Sequence, residues 1–139
     1  MWLVYAFLAA LSAASVAIFG KLGLKTIDST VATTIRSIIM SGFLVIVSLA
    51  LKKLQGFSLG EFSSREWLFI VAAGVSGALS WLFYFAALKT GLASRVVAID
   101  RLSIVFVVVF GALFLGEALG WKVALGAALM VVGAVLISL

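Results

Sequence analysis

The chain has 139 residues, 65% of them hydrophobic and 11% charged, with a mean hydropathy of +1.36. An ordinary globular domain is about half apolar and about a quarter charged. A soluble fold of this composition would have nothing to cover its surface with, so the sequence reads as an integral membrane protein. Cysteine and histidine are absent, which excludes zinc fingers, haem ligation, thiol redox chemistry and histidine acid–base work. No metal or other cofactor is expected. The net charge of +5 is spread over several loops rather than gathered in one patch, so nucleic acid is not expected as a partner.

A span needs about 20 mainly apolar residues to cross a hydrocarbon core of about 30 Å. Five stretches qualify. The first runs over about 2–24 and opens with Trp2 and Tyr5, aromatic residues suited to a membrane interface. No Lys or Arg precedes Lys21, so the segment lacks the positive start of a signal peptide and is expected to be retained. Ser12, Ala13, Ala14 and Ser15 are small enough to let a helix or a solute approach. Ile27-Asp28-Ser29-Thr30 makes a turn with capping residues for the second span. That span covers about 30–51, carries Arg36 inside it and ends at Lys52 and Lys53.

One substantial polar loop follows, Leu54 to Ser64, with Gly56, Gly60 and Glu61. Ser63 and Glu66 stand at capping-box spacing before the third span, about 67–88. Gly74, Gly77, Ala78, Trp81, Tyr84 and Phe85 recur at three- and four-residue spacing and share one face of that helix. Such a stripe serves helix packing or lines a solute site, and Trp81 is a candidate for either. The fourth span, about 93–115, contains Asp100 and Arg101 side by side, and Gly116-Glu117 ends it. The fifth, about 119–139, carries Gly126 and Gly133 on one stripe beside Ala127 and Ala134, which predicts a helix–helix contact surface. Proline is absent, so any helix break must come from Gly or from a polar side chain.

Alternating five spans across a bilayer places the starts of the second and fourth on one side. At 1.5 Å per residue, Arg36, Asp100 and Arg101 then lie about 9–12 Å below the same surface. Ionisable groups in hydrocarbon usually face a bundle interior or a water-filled path and favour an opposite partner. Arg36 with Asp100 is the expected pair, against the plainer possibility that the arginines snorkel to the interface.

The loops on one side carry Lys52, Lys53, Arg65 and Lys122; those on the other carry Lys21, Lys25, Lys89 and Arg95. With four against four, the Lys/Arg bias that sets orientation hardly chooses. A chain inserted both ways could pair antiparallel, the arrangement that many transporters build from inverted repeats. The alternatives are a fixed orientation or a different protein as the second half.

Tyr84-Phe85-Ala86-Ala87-Leu88-Lys89-Thr90-Gly91-Leu92-Ala93-Ser94 leads into the fourth span, and Phe114-Leu115-Gly116-Glu117-Ala118-Leu119-Gly120-Trp121-Lys122 leads out of it toward a glycine-bearing last helix. With five spans of this length, these runs resemble an EamA-type domain of the drug/metabolite transporter superfamily, over essentially the whole chain. The run Ile99-Asp100-Arg101-Leu102-Ser103 further resembles the branch in which one five-helix unit is the entire protein. The resemblance implies an all-α bundle of five transmembrane helices, residues 1–139 forming one domain, half of a ten-helix inverted-repeat transporter. It also implies pairing. The last helix is similar to the dimer-forming helix of the small multidrug resistance proteins, which makes Gly126 and Gly133 candidate dimer contacts. Two departures stand out: Ala98 replaces a proline expected near the start of the fourth span, and the first span has no embedded carboxylate. Proton/drug exchange of the small multidrug kind therefore does not carry over to the first span.

The expected function is secondary transport of small metabolites or drug-like solutes across the cell membrane, by alternating access and as a dimer. The expected site comprises Arg36, Asp100, Arg101, Trp81, Tyr84, Ser12 and Ser15. Arg36 and Arg101 would bind an anionic group or hold Asp100 ionised, the aromatic pair would shape the cavity, and the serines would supply hydrogen bonds. The alternative is a membrane assembly or accessory subunit that moves nothing, with Arg36–Asp100 as a structural lock. An enzyme is the weakest reading, because no nucleophile–base arrangement is spaced for one.

Overall fold

We describe the protein from a computed structural model that covers every residue except 57, 59 and 61. Glu61 of the polar loop therefore lies outside the described residues. Among the described residues the secondary structure is helical: α1 (Trp2–Gly23), α2 (Ser29–Ala50), α3 (Ser64–Thr90), α4 (Ala93–Asp100), α5 (Ser103–Phe114) and α6 (Trp121–Ser138). Five spans are long and apolar enough to cross a membrane, α4 and α5 together forming the fourth. Large apolar side chains such as Phe7, Ile39, Phe83, Phe106 and Leu129 stand exposed along every one of them. In water such surfaces would drive aggregation; against lipid tails their exposure is favourable. The chain is a multi-pass helical membrane protein.

The helices form two compact units, residues 23–89 in one and residues 1–22 with 90–139 in the other. In the 23–89 unit the helix starts are capped by side chains. Asp28 Oδ1 accepts from the amides of Thr30 (2.8 Å) and Val31 (3.2 Å), satisfying two of the donors that a helix leaves open at its start. Ser63 and Glu66 close a reciprocal box ahead of α3: the Ser63 amide and hydroxyl donate to Glu66 Oε2 at 2.8 and 2.7 Å, and the Glu66 amide donates to Ser63 Oγ at 3.3 Å. Both caps fall where the sequence pattern puts them. At the end of α2 the chain reverses through Lys52 in the left-handed region, φ +55°. The Lys52 amide reaches Leu49 O and the Lys53 amide reaches Ser48 O, so two terminal carbonyls are satisfied.

In the other unit, α6 packs on α4 and α5. Small residues are buried in this unit: Ala98 of α4 and Ala134 of α6, with Gly111 of α5 lying under the Glu117 side chain. Lys21, at the end of α1, donates to Gly91 O at 2.7 Å and so fixes the turn that starts α4. None of α4, α5 and α6 starts with a side-chain cap.

The fourth span departs from the continuous helix expected over 93–115. At Arg101 and Leu102 the ladder tightens from i→i−4 to i→i−3. The Leu102 amide donates to Ile99 O, Ile104 to Arg101 O and Val105 to Leu102 O, at 2.9, 3.1 and 2.9 Å. Both residues keep helical φ with a flattened ψ, −12° and −16°, the signature of a 3₁₀ step. The interruption falls in a polar stretch inside that span, between Asp100 and Ser103. With no proline or glycine there, the polar side chains are what distinguish the point of break from the apolar helix around it.

Candidate functional site

The chemistry of the 23–89 unit centres on Arg36. It is reached from the cap at Asp28, through two turns of helix in which Thr33 is buried and donates to Ser29 O at 2.8 Å. α2 carries Arg36 seven residues after its first, and the guanidinium lies over the Trp81 ring of α3 with its carbon 3.7 Å from the ring centroid. A second ring, Phe85, sits 5.5 Å away. Within this unit α2 and α3 are bridged by long side chains such as these.

The aromatic ledge is itself braced. Trp81 meets Tyr84 edge-on at 5.5 Å and Phe85 at 5.9 Å, while Phe85 is buried and Trp81 and Tyr84 are half-buried. Edge-to-face contacts of this kind hold ring orientation. The three residues recur at spacings of three and four, so one stripe of α3 presents them all.

Among the described residues, Arg36 Nη1 is a buried donor with no hydrogen-bond partner. Leaving a buried donor unpaired costs about 1–3 kcal/mol, and more when it is charged. Stacking on a desolvated ring returns about 2 kcal/mol. The ring answers the charge through its face but cannot accept the Nη1 proton as an oxygen would.

The remaining expected residues lie in the other unit. Asp100 is the last residue of α4, seven residues after its first, and both Asp100 and Arg101 are exposed beside the 3₁₀ step. The Ser12 hydroxyl donates to Leu8 O at 2.8 Å and that of Ser15 to Leu11 O at 3.2 Å. Their protons are thus spent inside α1, and the two oxygens can serve a solute only as acceptors. On α6, Gly126 is exposed and Gly133 half-buried, and a side chain added at either would meet open space. Ala134, expected beside them, instead faces inward.

Two features lie outside the expected site. Phe85, already on the α3 stripe four residues after Trp81, completes the ledge under Arg36. At the end of α5, Gly116 at φ +68° turns the chain so that the Glu117 amide reaches Gly111 O at 3.1 Å. Glu117 then folds back so far that a Cβ on Gly111 would stand 2.8 Å from its Oε2. No spacing rule announces a carboxylate returning to a glycine six residues earlier.

Five apolar spans, one of them carrying an arginine stacked on an indole, define a polytopic membrane protein. The EamA-like transporter family model matches residues 1–139. A curated relative from a Sinorhizobium species, described as an uncharacterized transporter in the cobO 3′ region, is 42% identical over 137 residues, covering 99% of this chain and 96% of the relative. The chain belongs to the EamA-like transporter family. No solved structure matches it.

Proposed function

We propose that the protein is a secondary transporter of small metabolites or drug-like solutes, working by alternating access as a dimer in the cell membrane. The observation that carries this is Arg36, a cation within a membrane span whose buried Nη1 has no acceptor. A group of that kind is costly to keep and is typically a solute- or ion-pathway residue. Exposed Asp100 and Arg101 support pairing, since neither can face hydrocarbon and each needs water, a solute or a second chain. The open surface at Gly126 and Gly133 supports the same dimer.

The second reading makes the chain an assembly subunit in which Arg36 and Asp100 lock two helices. Replacing both at once, Arg36→Leu with Asp100→Leu, separates the readings without leaving a lone charge. A transporter loses uptake of a labelled panel of organic acids, amines and neutral solutes in proteoliposomes, while a structural subunit stays monodisperse and keeps its partners. Antiparallel pairing is tested by C-terminal reporters active on opposite sides of the membrane. Signal from one side only rejects it and requires a parallel dimer or a different protein as the second half.

A further inference from the structure

We propose that Arg36 and its aromatic ledge form a binding site for an oxyanion carried on an apolar body, so that the solutes of this protein are organic anions. The inference rests on the transport reading only for the movement of that solute; the site itself stands on local geometry. Three observations within residues 23–89 carry it. The guanidinium lies 3.7 Å over Trp81 and 5.5 Å from Phe85, so its flat face is already occupied by rings. Its Nη1 edge is buried and has no hydrogen-bond partner. The rings brace one another by edge contacts at 5.5 and 5.9 Å, so they form one surface beneath the guanidinium.

The chemistry of the occupant follows from what is missing. Nη1 lacks an acceptor among the described residues and lies beside the α3 rings, so the acceptor it calls for is an oxygen whose charge matches the guanidinium. A strongly hydrated inorganic anion would lose most of its water there for little return, because the ledge offers it mainly ring carbons. A carboxylate or similar oxyanion on a flat or aliphatic body gains on both sides: its oxygen meets Nη1, and its body lies against Trp81 and Phe85. A cationic solute is disfavoured by Arg36 itself. The same chemistry is found in a dissolved organic acid and in the phosphate of an anionic lipid, and the experiment separates them.

The full-length chain in phosphatidylcholine nanodiscs is titrated calorimetrically with benzoate and with benzamide, its neutral near-isostere. Benzoate is expected to bind at least about tenfold more tightly, one hydrogen-bonded charge pair being worth that much or more. Arg36→Gln abolishes the preference. Arg36→Lys keeps the charge but loses the planar stack, so it retains only part of it. Trp81→Leu weakens both probes by a similar factor and leaves their ratio standing. Equal binding of the two probes, or a preference indifferent to Arg36→Gln, overturns the proposal. So does a preference that emerges only in Asp100→Asn, which would assign Nη1 to Asp100 in the resting protein. Repeating the titration with phosphatidylglycerol in the disc separates the sources: unchanged benzoate affinity assigns the site to a dissolved anion, and competitive loss assigns it to a lipid headgroup. Flux of labelled benzoate into proteoliposomes keeps the two readings apart. Arg36-dependent binding without flux retains this site and rejects transport; flux of benzoate and benzamide alike, whatever stands at 36, does the reverse.

Discussion

The two units of the chain meet the same demand, keeping helices together without water to drive them, in opposite ways. Residues 90–139 bring α6 onto α4 and α5, with the small residues Ala98 and Ala134 buried. Residues 23–89 instead join α2 to α3 by long side chains, a guanidinium laid on an indole with a buried phenyl ring beside it. Close packing by small residues leaves no room for anything else, which suits a scaffold or a contact surface. Bridging by Arg36 and Trp81 keeps a polar group between helices with one donor unanswered. The second arrangement costs stability, and such a cost is usually met where function needs it.

That contrast is broken most severely at Phe85. Removing its buried ring strips the ledge of its support, and Phe85→Ala is expected to lower stability by about 3 kcal/mol, near the bottom of the range for buried aromatics. The low end applies because in lipid only packing, and no exclusion from water, is lost. Asp100→Asn in the other unit touches an exposed side chain and should move the detergent-solubilised monomer by no more than about 0.5 kcal/mol. Steric-trap or thermal unfolding of the two variants checks the difference; equal effects would dissolve it.

Helix ends give a gentler version. α2 turns out through Lys52 at φ +55°, α5 through Gly116 at φ +68°. A left-handed backbone costs an L-residue about 1–2 kcal/mol and glycine almost nothing. Lys52→Gly should therefore stabilise the first unit, and Gly116→Ala should destabilise the second, each by about 1 kcal/mol. Smaller still is Gly111→Ala. Its new Cβ would meet Glu117 Oε2 at 2.8 Å, but that oxygen is the far end of a flexible side chain and can swing away. The loss should stay under about 1 kcal/mol, and Glu117→Ala should cancel it, giving a measurable coupling between the two sites.

What the sequence disclosed tracks how local the cause is. Spans follow from runs of apolar residues, and the caps at Asp28 and Ser63–Glu66 from contacts two or three residues apart, so both could be read directly. Trp81 and Tyr84 were visible as a stripe, but that Arg36 would lie on that stripe is a contact between residues 45 apart in sequence, which no spacing rule gives. The 3₁₀ step at Arg101–Leu102 was marked by polar residues without being specified by them, since a polar pair also fits an unbroken helix. The fold-back of Glu117 onto Gly111 depends on a turn through Gly116 whose direction no periodicity encodes.

The smallest expected effect separates the units by pH. Asp28 Oδ1 accepts from two backbone amides, and those bonds favour the ionised form and hold its carboxyl below the ordinary aspartate value. A group whose pKa is lower folded than unfolded stabilises the fold above its unfolded value, about 3.9. That contribution disappears as pH falls through the folded value. The start of α2 should therefore fray only as pH falls below that unfolded value, with faster hydrogen exchange at Thr30 and Val31. The starts of α4 and α6, which have no side-chain cap to protonate, should follow only the intrinsic exchange rate. Asp28→Asn keeps a competent cap without the titration, so it should flatten the pH dependence at α2 while leaving exchange there slow near neutrality. Equal acid sensitivity at α2 and α6 would place the cause elsewhere than in this cap.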